Sequence, residues 1–308
     1  MSLFVQQHAT SSAFTSAPWV ILTPIEQRIK EKIEAVGTPL KDWDIQINYG
    51  IKTGYNEAFI ISTEKRDEIL ANCQTEEERQ RTAELIRPIL RGRDIKRYGY
   101  DWAGLWLIFI PWHFPYQFDT SIIGASEKAE KAFQEQYPSV YQHMTRYKEQ
   151  LSKRNKAETG IRYEWYAMQR WGAQYWEDFS KPKIIFQEIV QESQYCYDET
   201  AHFMCNDTCR IIVGANLPFL LGVLNSKLFF YSVKKFYGGG VLGDHGIRMK
   251  HTFFCNFPCI PYNAQVEREA LKLSVHYDDL IAYSLDELLF SLYSLTREEI
   301  TEIQKSLI

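Results

Sequence analysis

The sequence predicts an α/β chain (mixed α+β), with a central mixed β-sheet, flanking helices and a C-terminal helical segment. Three observations carry this expectation. Short runs of β-branched and aromatic residues, "LWLIFIPW" (105–112) and "KPKIIFQEIV" (181–190), have the length and composition of buried strands. Capped stretches with helical apolar spacing lie between and around them. From about Asn263 onward the pattern is helical throughout. The expected organisation is a connector and helix over 1–40, a body over 41–262 and a helical segment over 263–308.

A helix over Pro24–Val36 is bounded by Thr23, which forms a capping box with Glu26, and by Gly37; Ile25, Ile29, Ile33 and Val36 make its apolar stripe. An alternating strand, Ile45–Tyr49, leads into "GIKTGYNEAFII" (50–61), and a second strand is expected over Ala58–Ser62, with Thr63 capping the next helix. A further helix starts near Thr75 and stops before Pro88. Two helices flank Tyr137-Pro138 between Ser126 and Arg154. After the strand at 181–190, a meander runs through Tyr195, Phe203 and "CRIIVG". Asn216 is the expected cap of the helix "LPFLLGVLNSKLFFYSVKKF". A glycine-rich loop, "YGGGVLGDHGIRMKH", and "FFCNFPCIPY" complete the body, and Thr296 with Glu299 forms a second capping box.

With 308 residues, 45% of them hydrophobic, the chain supports a substantial core in one large or two modest domains. Nineteen tyrosines and eight tryptophans suit either an aromatic core or an exposed contact surface. The net charge is 35 − 39 = −4, so a polyanion site would have to be a local patch. No apolar run is long enough to span a bilayer. The start, "MSLFVQQHATSSAF", has no secretory-signal pattern. A cytoplasmic location is expected, with no membrane partner and the six cysteines as thiols.

"GIKTG" has neither the spacing nor the following helix of a phosphate loop. It reads better as a tight turn delivering Lys52, Thr53 and Asn56 to one surface, where lysine suits phosphate or guanine and asparagine suits adenine. "RPILRGRDIKRY" is the densest basic stretch, with Arg87, Arg91, Arg93, Lys96 and Arg97 against Asp94. It is either a solvated surface or a phosphate-contacting patch, and the acidity of the rest of the chain favours the second. Tyr98, Tyr100 and Trp102 follow it directly.

The pairs Cys205/Cys209 and Cys255/Cys259, with His202 and His251 nearby, admit a zinc reading if the chain turns between the members of each pair. Both pairs sit in apolar runs, which favours buried thiols and no metal. Asp244-His245 lacks a placed nucleophile, and Arg248 and Lys250 make that loop a better polyanion contact. Glu188 stands where metal nucleases pair an acid with E-x-K, but Ile189 and Val190 follow and the lysine is missing. No methyltransferase, dinucleotide-binding or nucleophile-elbow motif occurs, so no catalytic residue is assigned.

Six segments in one order resemble the TaqI-like C-terminal specificity (target-recognition) domain of type IIG restriction–modification enzymes and related adenine-N6 DNA methyltransferases. They are "INYGIKTGYNEAFII", "ELIRPILRGRDIKRY", "YPSVYQHMTRYKEQLSKR", "WYAMQR" with "FSKPKIIFQEI", "NDTCRIIVG" with "FLLGVLNSKL", and "NFPCIPY". "LDELLFSLYSLTREEI" resembles the helical tail of those proteins. The resemblance implies a target-recognition-domain-like body that reads duplex DNA. It also implies a parent polypeptide whose methyltransferase and endonuclease parts, with S-adenosylmethionine and magnesium, are not in this chain. Arg91, Arg93, Lys96 and Arg97 would then grip phosphates, while Lys52, Thr53, Asn56, Gln169, Arg170, Arg248 and Lys250 would face bases. A protein-interaction module and, behind it, a zinc-dependent enzyme are the competing classes.

Overall fold

The computed structural model describes residues 22–154, 162–238 and 246–307. Helix α1 (Pro24–Val36) has the expected capping box, with Thr23 Oγ1 accepting from Glu26 N–H and Glu26 accepting from Thr23 N–H. Strands β1 (Thr38–Pro39) and β2 (Ile45–Tyr49) come next. The expected strand over Ala58–Ser62 is shorter. Asn56–Phe59 forms a helical turn, α2, and only Ile60–Ser62 pairs as β3. Ser62, in place of Thr63, caps α3 (Thr63–Ala71).

Helix α4 (Glu76–Leu85) starts after Thr75 and stops before Pro88, as expected, and runs directly into strand β4 (Ile86–Leu90), in which Pro88 lies. Strand β5 (Leu105–Ile108) occupies the first half of "LWLIFIPW". Three helices, α5 (Glu127–Gln136), α6 (Pro138–Thr145) and α7 (Lys148–Ser152), stand where two were expected. The 181–190 run splits into β6 (Lys183–Gln187) and β7 (Ile189–Val190). Beyond it lie β8 (Tyr195–Asp198), β9 (Met204–Cys205) and β10 (Cys209–Gly214).

The long apolar helix also divides. Asn216 sits in the left-handed region at the start of α8 (Leu217–Leu224) and makes no side-chain cap, whereas Ser226 caps α9 (Lys227–Ser232). Strand β11 (Ile247–Arg248), helical turn α10 (His251–Phe254) and β12 (Pro258–Cys259) lead to α11 (Ala264–Val275), α12 (Asp279–Leu292) and α13 (Arg297–Lys305).

Two four-stranded sheets organise the body. The first has the order β2-β10-β6-β8 and is antiparallel throughout. The second has the order β3-β5-β4-β9, with β9 parallel to β4. Both faces of the first sheet are covered. Ile184, Phe186 and Ile212 face one apolar cluster, while Ile185, Cys209 and Ile211 face the other. Burial on both sides explains why the centres of β6 and β10, Ile184–Phe186 and Ile211–Val213, read as continuous apolar runs without alternation.

The first cluster joins the two ends of the described chain. Ile29 and Ile33 of α1 pack in the same core as Val266, Leu285, Leu289 and Ile303 from α11–α13. Lys32 reaches Glu299 at 2.7 Å, and the Lys227 N–H donates to Asp286 at 2.9 Å. The cysteine pairs lie on opposite sides of the first sheet, because Cys205 and Cys209 belong to the second cluster and Cys259 to the first. All six cysteines are free thiols, and burial pushes Cys209 and Cys259 well above the usual thiol range.

Candidate nucleic-acid interface

At one end of the first sheet, β2 and β6 finish and β10 begins. Gly50 succeeds β2 there, and a Cβ on it would lie 1.8 Å from the Asn206 carbonyl oxygen. Only glycine allows that approach. Ile51 N–H then donates to Cys205 O at 2.8 Å, and Lys52 exchanges two backbone hydrogen bonds with Arg170, at 3.0 and 2.8 Å. Gly54 takes φ +80°, against the buried Arg154, whose guanidinium donates to Thr53 O at 2.8 Å. The "GIKTG" turn is therefore a backbone clamp that places Lys52 beside Arg170.

Tyr49 is the centre of this end, and the residue is 39% exposed. The Arg210 guanidinium stacks on it at 3.7 Å from the ring centroid, and Arg170 lies at 5.2 Å. His251 meets the ring edge-on at 5.8 Å. Arg210 is buried, and Glu188 accepts from its Nη2 at 2.7 Å; the same carboxylate accepts from Arg248 Nε at 2.9 Å. Burial pushes His251 below the usual histidine range, helped by the neighbouring Arg210 and Lys250 cations and opposed by Glu188. His251 is thereby kept neutral at pH 7. Arg210 Nε and His251 Nδ1 are buried without a hydrogen-bond partner among the described residues.

The predicted residues fall into three groups. Lys52, Gln169, Arg170, Arg248 and Lys250 gather around the Tyr49 end, with Arg170, Arg248 and Lys250 exposed. Arg93 and Lys96 are also exposed, on the turn after β4. That turn rests against the same end of the sheet, since Gly92 N–H donates to Thr208 Oγ1 at 2.9 Å while Thr208 O accepts from Glu188 N–H at 3.2 Å.

Thr53, Arg91 and Arg97 do not offer free groups at the surface. Thr53 is buried and its hydroxyl donates to Asn56 Oδ1 at 2.6 Å, which leaves Asn56 as the exposed member of that pair. Arg91 forks onto Asp94 at 3.0 and 2.7 Å. Burial opposes the charge on Asp94, but Arg91 holds its carboxyl below the usual range. Arg97 donates to Asn225 O at 3.1 Å and reaches Asp286 at 3.4 Å, tying the basic turn to α12.

Tyr49, Arg210, Glu188 and His251 were not singled out for this surface from sequence. One signal was present: Arg210 is the single charge in "CRIIVG", where a strand buried on both faces has no place for an unpaired cation. Other buried ionic groups have internal duties. Glu164 accepts from the N–H groups of His113 and Ser126, Glu78 accepts from Ser139, and Lys183 pairs with Asp198. Among the described residues no cluster of three or more His, Cys, Asp or Glu could hold a metal ion, and no helix is long and apolar enough to cross a membrane. Asp244-His245 lies outside the described residues.

Among solved structures, the chain is similar to the type IIL restriction–modification enzyme MmeI in complex with DNA, with a TM-score of 0.54 and 16% identity over 86% of this chain and 35% of that one. It is similar also to the type IIG restriction endonuclease BpuSI, with a TM-score of 0.53 and 12% identity over 92% of this chain and 32% of that one. The chain thus spans about a third of the length of the enzymes it matches. No curated protein matches it in sequence. A family model for the TaqI-like C-terminal specificity domain matches residues 87–241, half of the chain, including Arg93, Arg170, Glu188 and Arg210. The chain belongs to the TaqI-like C-terminal specificity domain family.

Proposed function

We propose that this chain is the duplex-DNA recognition module of a type IIG restriction–modification enzyme, an adenine-N6 methyltransferase/endonuclease whose catalytic domains lie outside it. One observation carries the reading. In a chain of net charge −4, Arg170 and Arg210 lie over the half-exposed Tyr49 at one end of a sheet, with the exposed Arg248 joined to Arg210 through Glu188 and the exposed Lys250 beside His251, which packs on the same ring. Local cationic concentration is what a polyanion ligand needs, and the chain's overall charge does not supply it.

Lys52, Arg93, Lys96 and Lys250 are the phosphate-gripping residues in this reading, and Asn56, Gln169, Arg170 and Arg248 face base edges in the major groove. Thr53, Arg91 and Arg97 hold those residues in place. S-adenosylmethionine and magnesium would act in the methyltransferase and endonuclease domains of the same polypeptide, and this chain contributes no catalytic group.

The test is selection from a random duplex library followed by binding titrations at several salt concentrations. A common motif should be enriched, and affinity should fall linearly on a log–log plot against salt. A second reading, a protein-interaction module, is favoured by Val275 and Leu280, which are 88% and 77% exposed on the C-terminal helices. It predicts no enrichment and no salt-dependent duplex binding.

A further inference from the structure

Glu188 is out of place on a surface that meets DNA. A carboxylate facing phosphates costs affinity, yet this one is paired with both Arg210 and Arg248. Its two oxygens are divided between two guanidinium groups, Oε2 taking Arg210 Nη2 at 2.7 Å and Oε1 taking Arg248 Nε at 2.9 Å. Its backbone carbonyl accepts from Met249 N–H at 2.7 Å, so strands β7 and β11 fix the distance between Glu188 and Arg248.

Arg248 keeps its terminal nitrogens available. The side chain is exposed, and with Nε held, those two nitrogens have no partner among the described residues. A guanidinium tethered through Nε presents its Nη groups as a rigid fork, which matches the O6 and N7 acceptors of guanine. The tether also lowers the local positive charge, which disfavours a phosphate as the partner. Ile189, paired with Arg248 across the β7–β11 ladder, is 44% exposed beside it. An exposed apolar side chain there suits a base edge, because phosphates offer nothing apolar.

We infer that Arg248 reads a guanine in the major groove and that Glu188 is its positioning residue, making the pair a specificity determinant for one base pair. This rests on the duplex-recognition reading. Glu188 touches no base in this arrangement; it sets the angle and removes the rotational freedom of the arginine that does.

The test compares the full chain with its Glu188→Gln and Arg248→Lys variants in random-duplex selection. Wild type should enrich a motif containing a fixed guanine. Both variants should relax the preference at that same base pair by about tenfold, the scale of one bidentate contact. In a second arm, 7-deazaguanine at that position removes the N7 acceptor without touching the protein. Wild-type affinity should then fall about tenfold, while Arg248→Lys should lose little more than it has already lost.

This ligand-side arm does not depend on variant stability. The inference is overturned if wild type tolerates 7-deazaguanine at every guanine of its motif. It is overturned equally if Glu188→Gln, folded as wild type, keeps the preference that Arg248→Lys loses. Failure of wild type to enrich any motif overturns instead the duplex-recognition reading on which the inference stands.

Discussion

Replacing Asp198 with alanine is expected to destabilise the chain by about 3–5 kcal/mol, because it leaves a buried ammonium without its counter-ion. Lys183 is fully buried, and its Nζ donates to Asp198 Oδ2 at 2.6 Å and to Phe179 O at 2.9 Å. Burial pulls the lysine below its ordinary range, and Asp198 opposes that shift. The carboxylate has a second duty, accepting from the N–H groups of His202 and Phe203 at 3.1 and 2.8 Å, which fixes the loop between β8 and β9. Urea unfolding monitored by tryptophan fluorescence measures the loss. The double variant Asp198→Leu with Lys183→Met should recover only the part due to the uncompensated charge, since the His202 and Phe203 N–H groups still lack their acceptor. An Asp198→Ala variant as stable as wild type would show that the pair contributes nothing.

The second large effect concerns binding. Replacing Arg170 and Lys250 together by alanine should lower duplex affinity by roughly two orders of magnitude at moderate salt, and reduce the slope of log affinity against log salt by about 1, the share of the phosphate-gripping Lys250. Both side chains are exposed. Arg170 keeps its backbone pairing with Lys52 whatever its side chain, so the clamp at the "GIKTG" turn survives the substitution. An unchanged unfolding midpoint accompanies the expected loss. If the salt slope stayed at its wild-type value, phosphates would not be meeting this end of the sheet.

Local signals in the sequence settled much of the fold. The α1 capping box, strand β2, the helical character of the chain after Asn263 and the Thr296–Glu299 capping box were legible because caps and periodicity are properties of a few adjacent residues. Helix α4 stops before Pro88 as expected, but strand β4, which holds that proline, was not legible, since a proline after a helix also fits a strand position where its missing N–H is tolerated. Asn225-Ser226 broke a helix that apolar content alone joined, because Ser226 caps α9 and Asn225 turns inward to bond Tyr195.

The site was half legible for a related reason. A basic stretch shows where cations are, but their partners lie far away in sequence. Asp286 is 189 residues from Arg97, and that distance hid an internal ion pair inside an apparent phosphate patch. The same distance concealed Tyr49, Glu188, Arg210 and His251, which come together only when β2, β6, β10 and the 246–254 segment meet at one end of the sheet.

Side-chain oxidation by hydroxyl radicals, with and without the selected duplex, tests most directly whether that end of the sheet is the DNA-contacting face. Tyr49 and Tyr283 start from similar exposure, 39% and 50%, at opposite parts of the chain. Bound duplex should protect Tyr49 and leave Tyr283 on α12 as reactive as before. Protection of Tyr283 with Tyr49 still fully reactive would place DNA on the C-terminal helices and contradict a DNA-binding role for the Tyr49 end.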